Sequence, residues 1–219
     1  MDNLFVAPST DPVKTVDEII DYANDIKDVA DFLHCDIMDG VFVDNKTYSY
    51  DVLGVINDQT LLPLDVHLMV NNPHKLIRQF IKNGANILTI HYEAYKNKNK
   101  LIKDLKLIRK LGALSGISLK PQTSVSEIIP YLSYCDLVLV MSVEPGKSGQ
   151  TFIEKTFDKV NELNKLREEY NSNFKIEVDG GVNPEISKKL NLSGVNIVVS
   201  GNFVYKNEDK KQAICQLKQ

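Results

Sequence analysis

Leu33-His34-Cys35-Asp36-Ile37-Met38-Asp39-Gly40 is the stretch whose reading decides the fold. Phe32 to Ile37 has the character of a short apolar strand, yet His34 and Asp36 interrupt it. Side chains two apart on a strand point to the same face, so these two polar groups converge on one side. Burying an imidazole and a carboxylate together is costly unless something pairs with them, and a metal ion does so directly. The pattern returns at Asp65-Val66-His67 and, as a lone acid before two glycines, at Asp179-Gly180-Gly181. Each time the polar group closes the C-terminal end of an apolar run.

Working outward, apolar runs and striped helical segments alternate along the chain. Leu4 to Ala7 is a strand closed by Pro8-Ser9, followed by a helix with Val16, Ile19, Ile20, Ala23 and Ile26 on one face. Further strands are read at Leu64 to Val70, Asn86 to His91, Leu114 to Leu119, Asp136 to Met141, Phe174 to Val178 and Val195 to Val199. Between the second and third strands, Tyr50 to Asn57 is only weakly patterned. Asn72-Pro73 reads as an N-cap with a proline in the first turn, and Ser124-Val125-Ser126-Glu127 as a capping box before a helix that Pro130 shortens. Ile153, Phe157, Val160, Leu163 and Leu166 stripe the longest helix, Asn183-Pro184 opens another, and a last one begins near Asn202. Alternation of this kind implies parallel strands, because a parallel connection needs a crossover. About eight such units make an α/β fold of the (β/α)₈ TIM-barrel type, read as a single domain over residues 1–219. An open doubly wound sheet gives no reason for polar residues at so many strand ends. A barrel does, because its sites form on the C-terminal face.

Composition excludes several classes. With 43% hydrophobic and 25% charged residues, the chain has the balance of an ordinary globular protein and not of a disordered one. A net charge of -3 and a pI near 5.8 argue against a basic surface for nucleic acid. The N-terminal residues lack a signal-peptide pattern, and no apolar run approaches the roughly 20 residues that span a bilayer. Cys35, Cys135 and Cys215 are odd in number and widely spaced, as expected of reduced thiols in a cytoplasmic protein.

His34, Asp36, His67 and Asp179 form a two-histidine, two-carboxylate set at strand ends that open on one face. Such a set suits one divalent ion, Zn²⁺ or Fe²⁺ first and Mn²⁺ or Co²⁺ next. His91 lacks an acidic same-face neighbour within its strand and reads as a pocket-wall or packing residue; His74 reads as a surface residue. Met38, Met69 and Met141 lie near the same rim, as adaptable core filler or as a cover that excludes water. Cys35 points away from His34 and Asp36, into the packing between barrel and helices.

Gly146-Lys147-Ser148-Gly149 follows the sixth strand. Its Gly-Lys-Ser ending is not a P-loop, because Met141 stands where that motif requires a glycine. The glycines still allow close backbone approach to an anion. Gly180-Gly181 follows the seventh strand and Gly201-Asn202 the eighth, and loops at these strands are where such barrels hold phosphate. One glycine loop alone would read as a turn; three in succession read as a phosphate cradle.

These segments together resemble the ribulose-phosphate 3-epimerase family from Ala7 to about Tyr205. The resemblance rests on Ala7-Pro8-Ser9, His34 to Val43, Leu64 to Val70, Val140 to Gly146 and Glu177 to Gly181, in the family's order. It implies a barrel of the ribulose-phosphate binding type that interconverts ribulose 5-phosphate and xylulose 5-phosphate. It also implies metal binding by His34, Asp36, His67 and Asp179, with Asp36 and Asp179 doubling as proton acceptor and donor. Ser9 and His67 are implied to touch substrate, while Gly146, Lys147, Ser148 and Gly149, with Gly180-Gly181 and Gly201-Asn202, hold its phosphate. The chain departs from the family at Thr10 to Thr15, at Asp44, at Lys147-Ser148 and at Asn202, all around the pocket entrance.

The chemistry agrees on independent grounds. Inverting carbon 3 of a 2-ketose needs removal of a weakly acidic proton beside a carbonyl, with positive charge near the developing enediolate. Two carboxylates on opposite faces then remove and return the proton. A 3-epimerase of another ketose phosphate, such as allulose 6-phosphate, shares this ligand set. The keto-gulonate-phosphate decarboxylases carry Asp-x-Lys-x-x-Asp where this chain has Asp65-Val66-His67, and a non-catalytic sugar-phosphate sensor would not need the acid pair. The expected partner is a small sugar phosphate, with no nucleic acid and no membrane; a homo-oligomer is compatible with this reading.

Overall fold

A computed structural model of the chain describes residues 4–170 and 172–219. Eight strands alternate with helices: β1 (Phe5–Pro8), β2 (Leu33–Met38), β3 (Leu64–Met69), β4 (Ala85–His91), β5 (Leu114–Leu119), β6 (Leu137–Met141), β7 (Lys175–Asp179) and β8 (Ile197–Ser200). All are parallel and run in the order β1-β8-β7-β6-β5-β4-β3-β2. The seam between β1 and β2 is bridged as well. The Asp31 N–H donates to the Val6 carbonyl at 3.1 Å and the Thr10 N–H to the His34 carbonyl at 2.9 Å. Asp31 Oδ2 in turn accepts from the Val6 N–H at 2.8 Å. The result is the (β/α)₈ barrel that the alternation predicts.

The helices are α1 (Val16–Ile26), α2 (Tyr50–Gln59), α3 (Ile77–Lys82), α4 (Lys98–Lys110), α5 (Thr156–Glu169), α6 (Pro184–Leu192), α7 (Asn202–Tyr205) and α8 (Lys210–Leu217). Local chemistry starts several of them. Thr15 and Glu18 form a reciprocal capping box at α1, and the Asn183 side chain accepts from the Ile186 N–H ahead of Pro184 at α6. No helix among the described residues is long and apolar enough to cross a membrane.

The strands divide their side chains between two apolar layers. Cys35, Val66, Leu88, Ile117, Val140, Val178 and Val198 pack outward against the helices in the larger cluster. Ala7, Ile87, Leu139, Met141 and Val199 form a second cluster, and its members come from strands far apart in the ladder, so it fills the barrel interior. His34, Asp36, Asp65, His67, Thr89, His91 and Glu177 share the inner register and are buried with it. The interior is therefore apolar on one side and strongly polar on the other.

Three local expectations change. Tyr50 to Asn57 is a regular helix although its pattern is weak, because only Leu53 and Ile56 need full burial on its inner side. The Ser124 capping box does not form: Ser124 Oγ accepts from the Ser126 N–H, and the Glu127 carboxylate is taken by the Tyr92 hydroxyl at 2.7 Å. Only short 3-10 turns follow, with Pro130 in the first turn of the second. Asn72 likewise makes no side-chain cap, and a 3-10 turn over Pro73–Lys75 precedes α3.

Gly116 shows how tightly the inner layer is packed. Paired with Thr89 in the β4–β5 ladder, it has room for no Cβ, which would collide with Thr89 Oγ1 and lie 3.0 Å from the Thr89 Cα. Because the obstacle includes backbone, Gly116→Ala should destabilise the protein by about 1–3 kcal/mol. Urea unfolding should show a lower midpoint at unchanged slope; an unshifted midpoint would mean the barrel wall yields there.

Candidate active site

β2, β3 and β7 bring four predicted residues to one point. His34, Asp36, His67 and Asp179 each offer one nitrogen or oxygen, and these atoms all lie within 4.8 Å of one another. Asp36 Oδ1 is 3.4 Å from His34 Nε2 and 3.3 Å from His67 Nδ1. Asp36 Oδ2 accepts from the Ser9 hydroxyl at 2.7 Å, which fixes the carboxylate in place. His34 Nδ1 lies 2.5 Å from Asp65 Oδ2, so its proton belongs on that side. His34 Nε2, on the Asp36 side, is buried with no hydrogen-bond partner. An orphaned nitrogen beside two carboxylates and a second imidazole fits a divalent cation.

The two acids are driven to opposite protonation states. Burial raises the affinity of Asp36 for a proton, but His34 and His67 overcome it and lower its pKa far below the usual range. Burial and the nearby charge of Asp36 push Asp179 up to about 8. At neutral pH the unliganded site thus pairs an ionised acid with a protonated one. His34 is opposed by burial, yet the Asp65 and Asp36 carboxylates raise it well above the ordinary histidine value.

Below this point lies a second cluster, His34, Asp65 and Glu177. Glu177 is fully buried, with Oε1 3.9 Å from His34 Nδ1. Its pKa is raised strongly, by burial first and by Asp65 second. Asp65 Oδ1 and both Glu177 oxygens are acceptors without a donor while both acids are ionised. A proton on Glu177 supplies that donor.

A cavity of about 200 Å³ opens above the four residues. Ser9, Asp36 and Asp179 form its floor with Met38, Met69 and Met141, and residues 144–150, 180–183 and 201–203 form its walls. Gly146, Lys147, Ser148, Gly149, Gly180, Gly181, Gly201 and Asn202 therefore all face the same space. His34 and His67 lie just beneath, fully buried. Gly181 has a φ of +64° and would clash with the Phe152 backbone if it carried a Cβ, 2.7 Å from the nitrogen. The loop after β2 reaches across the mouth. Asp39 Oδ1 accepts from the Val41 and Phe42 N–H groups and Oδ2 from the Asn71 N–H, while the Asn45 amide donates to the Gly146 carbonyl at 2.6 Å.

Other residues gain places that the sequence did not give them. Asp11 lines the cavity, its carboxyl raised by burial and then by Asp36, with Ser148 donating to it. His91 is fully buried with Nε2 2.9 Å from His67 Nε2 and Nδ1 2.9 Å from Glu93 Oε2. Burial pushes the His91 ring down to about 4, so it is neutral. Asp65 and Glu177 were within reach of the same spacing rule, each two residues before a predicted ligand; Glu93 stands two after His91. His74 is half exposed, as a surface residue should be, but it also pairs with the buried Asp104 at 2.6 Å.

Comparison with known proteins places the chain. The family model described as "Ribulose-phosphate 3 epimerase family" matches residues 6–205. A ribulose-phosphate 3-epimerase of Aquifex aeolicus is 39% identical over 193 residues, 88% of this chain and 86% of that protein. The Bacillus subtilis ribulose-phosphate 3-epimerase is 40% identical over 200 residues, 89% of this chain and 91% of the relative. Among solved structures, the 3-keto-L-gulonate-6-phosphate decarboxylase from Vibrio cholerae superposes with a TM-score of 0.72 at 12% identity, over 98% of this chain and 95% of that one. That likeness is one of fold. The chain belongs to the ribulose-phosphate 3-epimerase family.

The buried acid under the site has a measurable signature. Glu177 is protonated when folded and ionised when unfolded above its ordinary value of 4.5, so folding takes up a proton and stability falls as pH rises. Glu177→Gln mimics the neutral acid and removes this contribution. In chelator-treated protein, stability between about pH 5 and pH 8 should fall less steeply for the variant than for wild type. Parallel curves would mean that Glu177 is ionised in the fold.

Proposed function

We propose that this family member interconverts D-ribulose 5-phosphate and D-xylulose 5-phosphate at the cavity above His34, Asp36, His67 and Asp179, the whole chain acting as one barrel unit in the cytoplasm. The observation that carries the reading is the acid pair: two carboxyl groups presented from β2 and β7 into one small cavity, beside two imidazoles. β1 and β8 lie between those two strands in the ladder, so the acids reach a substrate from different sides.

In one direction Asp36 takes the carbon-3 proton, and Asp179 delivers another to the opposite face; the reverse reaction exchanges their roles. The Ser9 hydroxyl donates to Asp36 Oδ2 and holds the carboxylate in place at the cavity floor. The three methionines close the floor and limit access of water to the enediolate. A divalent ion held by His34 Nε2, His67 Nδ1 and the two aspartates would supply positive charge beside the carbonyl, and Zn²⁺, Fe²⁺, Mn²⁺ and Co²⁺ all suit this donor set. Backbone N–H groups of the loops at Gly146, Lys147, Ser148 and Gly149, at Gly180-Gly181 and at Gly201-Asn202 would hold the phosphate, with Lys147 adding charge at the rim. Binding energy from that remote group orients carbon 3 between the acids.

The test is turnover in heavy water. With ribulose 5-phosphate, product formed early should carry deuterium at carbon 3 while recovered substrate carries much less, because the delivering acid equilibrates with solvent. Product that keeps the original proton would rule out two separate acids. Asp179→Asn, with metal content measured, should abolish epimerisation; a metal-replete variant at the wild-type rate would remove Asp179 from its role. Unphosphorylated ribulose should be a very poor substrate, and faster turnover of allulose 6-phosphate than of ribulose 5-phosphate would reassign the sugar.

A further inference from the structure

We infer that Asn45 and Gln150 are positioning residues for the loop after β6: they hold its carbonyl oxygens aside, and so present the N–H groups of Lys147 and Ser148 to a phosphate. The inference rests on the reading of that loop as a phosphate cradle given above. It starts from an imbalance in the loop's own hydrogen bonds. Three of its carbonyls are taken by side-chain amides. Asn45 Nδ2 donates to the Gly146 carbonyl at 2.6 Å, and Gln150 Nε2 donates to those of Glu144 and Lys147, each at 2.7 Å. Among the described residues, nothing accepts from the N–H groups of Gly146, Lys147, Gly149 or Gln150.

Peptide geometry turns this imbalance into a direction. In a planar trans peptide the C=O of one residue and the N–H of the next point opposite ways. The Gly146 carbonyl is drawn to Asn45, which lines a neighbouring cavity beside the β2 loop, so the Lys147 N–H points the other way. Gly146 and Lys147 both line the cavity above the acids. The Lys147 carbonyl is drawn to Gln150, so the Ser148 N–H is turned away from that amide. There it meets a carboxyl group: Ser148 donates to Asp11, which lines the same cavity. The third carbonyl, that of Glu144, precedes Pro145, which has no N–H to present. Its bond to Gln150 joins the start of the loop to its end.

An anion needs this arrangement, and a plain turn does not. A carbonyl oxygen carries partial negative charge, so a peptide turned the wrong way replaces an attraction to phosphate by a repulsion. Water would serve the loop's carbonyls in any orientation. Gly146 and Gly149, at φ +106° and +79°, have the freedom to adopt the observed orientations and equally to leave them. The two amides remove that freedom before a substrate arrives, which lowers the ordering cost of binding.

The test uses the full chain and two probes: inorganic phosphate as a competitive inhibitor, and unphosphorylated ribulose as a substrate without the remote group. Gln150→Met keeps the length of the side chain and loses both donors; Asn45→Ala loses the other. In each variant the phosphate inhibition constant should rise by about 10-fold, the loss of roughly one hydrogen bond to a charged group. The preference in kcat/KM for ribulose 5-phosphate over ribulose should fall by about the same factor. A residue that merely kept the loop folded would lower turnover of both sugars together and leave this ratio alone. That result overturns the assignment, as does a folded variant with the wild-type inhibition constant. Asn45 is exposed, so Asn45→Ala decides even if Gln150→Met does not fold. If the wild type is indifferent to inorganic phosphate and to the phosphate on its sugar, the cradle itself is lost; a phosphate-selective wild type with unchanged variants overturns the positioning alone.

Discussion

Asp36, Asp65, Glu177 and Asp179 share the inside of one barrel with His34, His67 and His91, and nearly all of them are shut off from solvent. No folded chain carries that many titratable groups in a dry interior unless each is compensated. Compensation here is local and directional. Asp65 holds the His34 proton, Ser9 holds Asp36, and Glu177 and Asp179 shift upward so that they need not both carry charge. The His34 nitrogen left without a partner marks where the remaining compensation must come from outside the chain. The rest of the barrel is arranged to keep these groups at fixed distances.

β7 is where the two halves of the site meet. The apolar interior belongs mainly to β1, β6 and β8, and the polar interior to β2, β3 and β4. The glycine loops follow β6, β7 and β8, on the apolar side. β7 contributes to both, ending in Asp179 and continuing directly into Gly180-Gly181. A rigid strand therefore sets the distance between the acid and the proposed phosphate cradle. A phosphate held in that cradle would leave only one carbon of a given sugar chain beside Asp179.

How much of this was legible in the chain depends on how far each relation reaches. The barrel and the four convergent residues follow from two periodicities, alternation of elements and spacing of two within a strand, and both are local. His34 with Asp36 is visible because the pair lies within one strand. The partnership of His34 with Asp65 is set by the β2–β3 register, which pairs those two residues directly, and no single strand reveals it. The contacts that run from His67 through His91 to Glu93 cross another strand boundary and end on the Lys120 backbone beyond β5, so they are further from view. Helix α2 was obscured for the opposite reason: with two deeply buried side chains it needs little pattern.

The loop after β2 shows why the polar and apolar halves act together. Its start is held by Asp39, whose carboxylate gathers three backbone donors, from Val41, Phe42 and Asn71. Burial opposes the charge, but those N–H groups lower the Asp39 pKa below its ordinary value, as a carboxylate fixed by backbone dipoles should be. From this anchor Phe42 covers His91, Val43 fills the space a Gly146 side chain would need, and Asn45 donates to the Gly146 carbonyl. One short segment thus touches the imidazole behind His67 and the loop proposed to hold phosphate. The loop at Gly146 and the ring over His91 are therefore tied together through this segment, by the Asn45 hydrogen bond at one end and the Phe42 ring at the other.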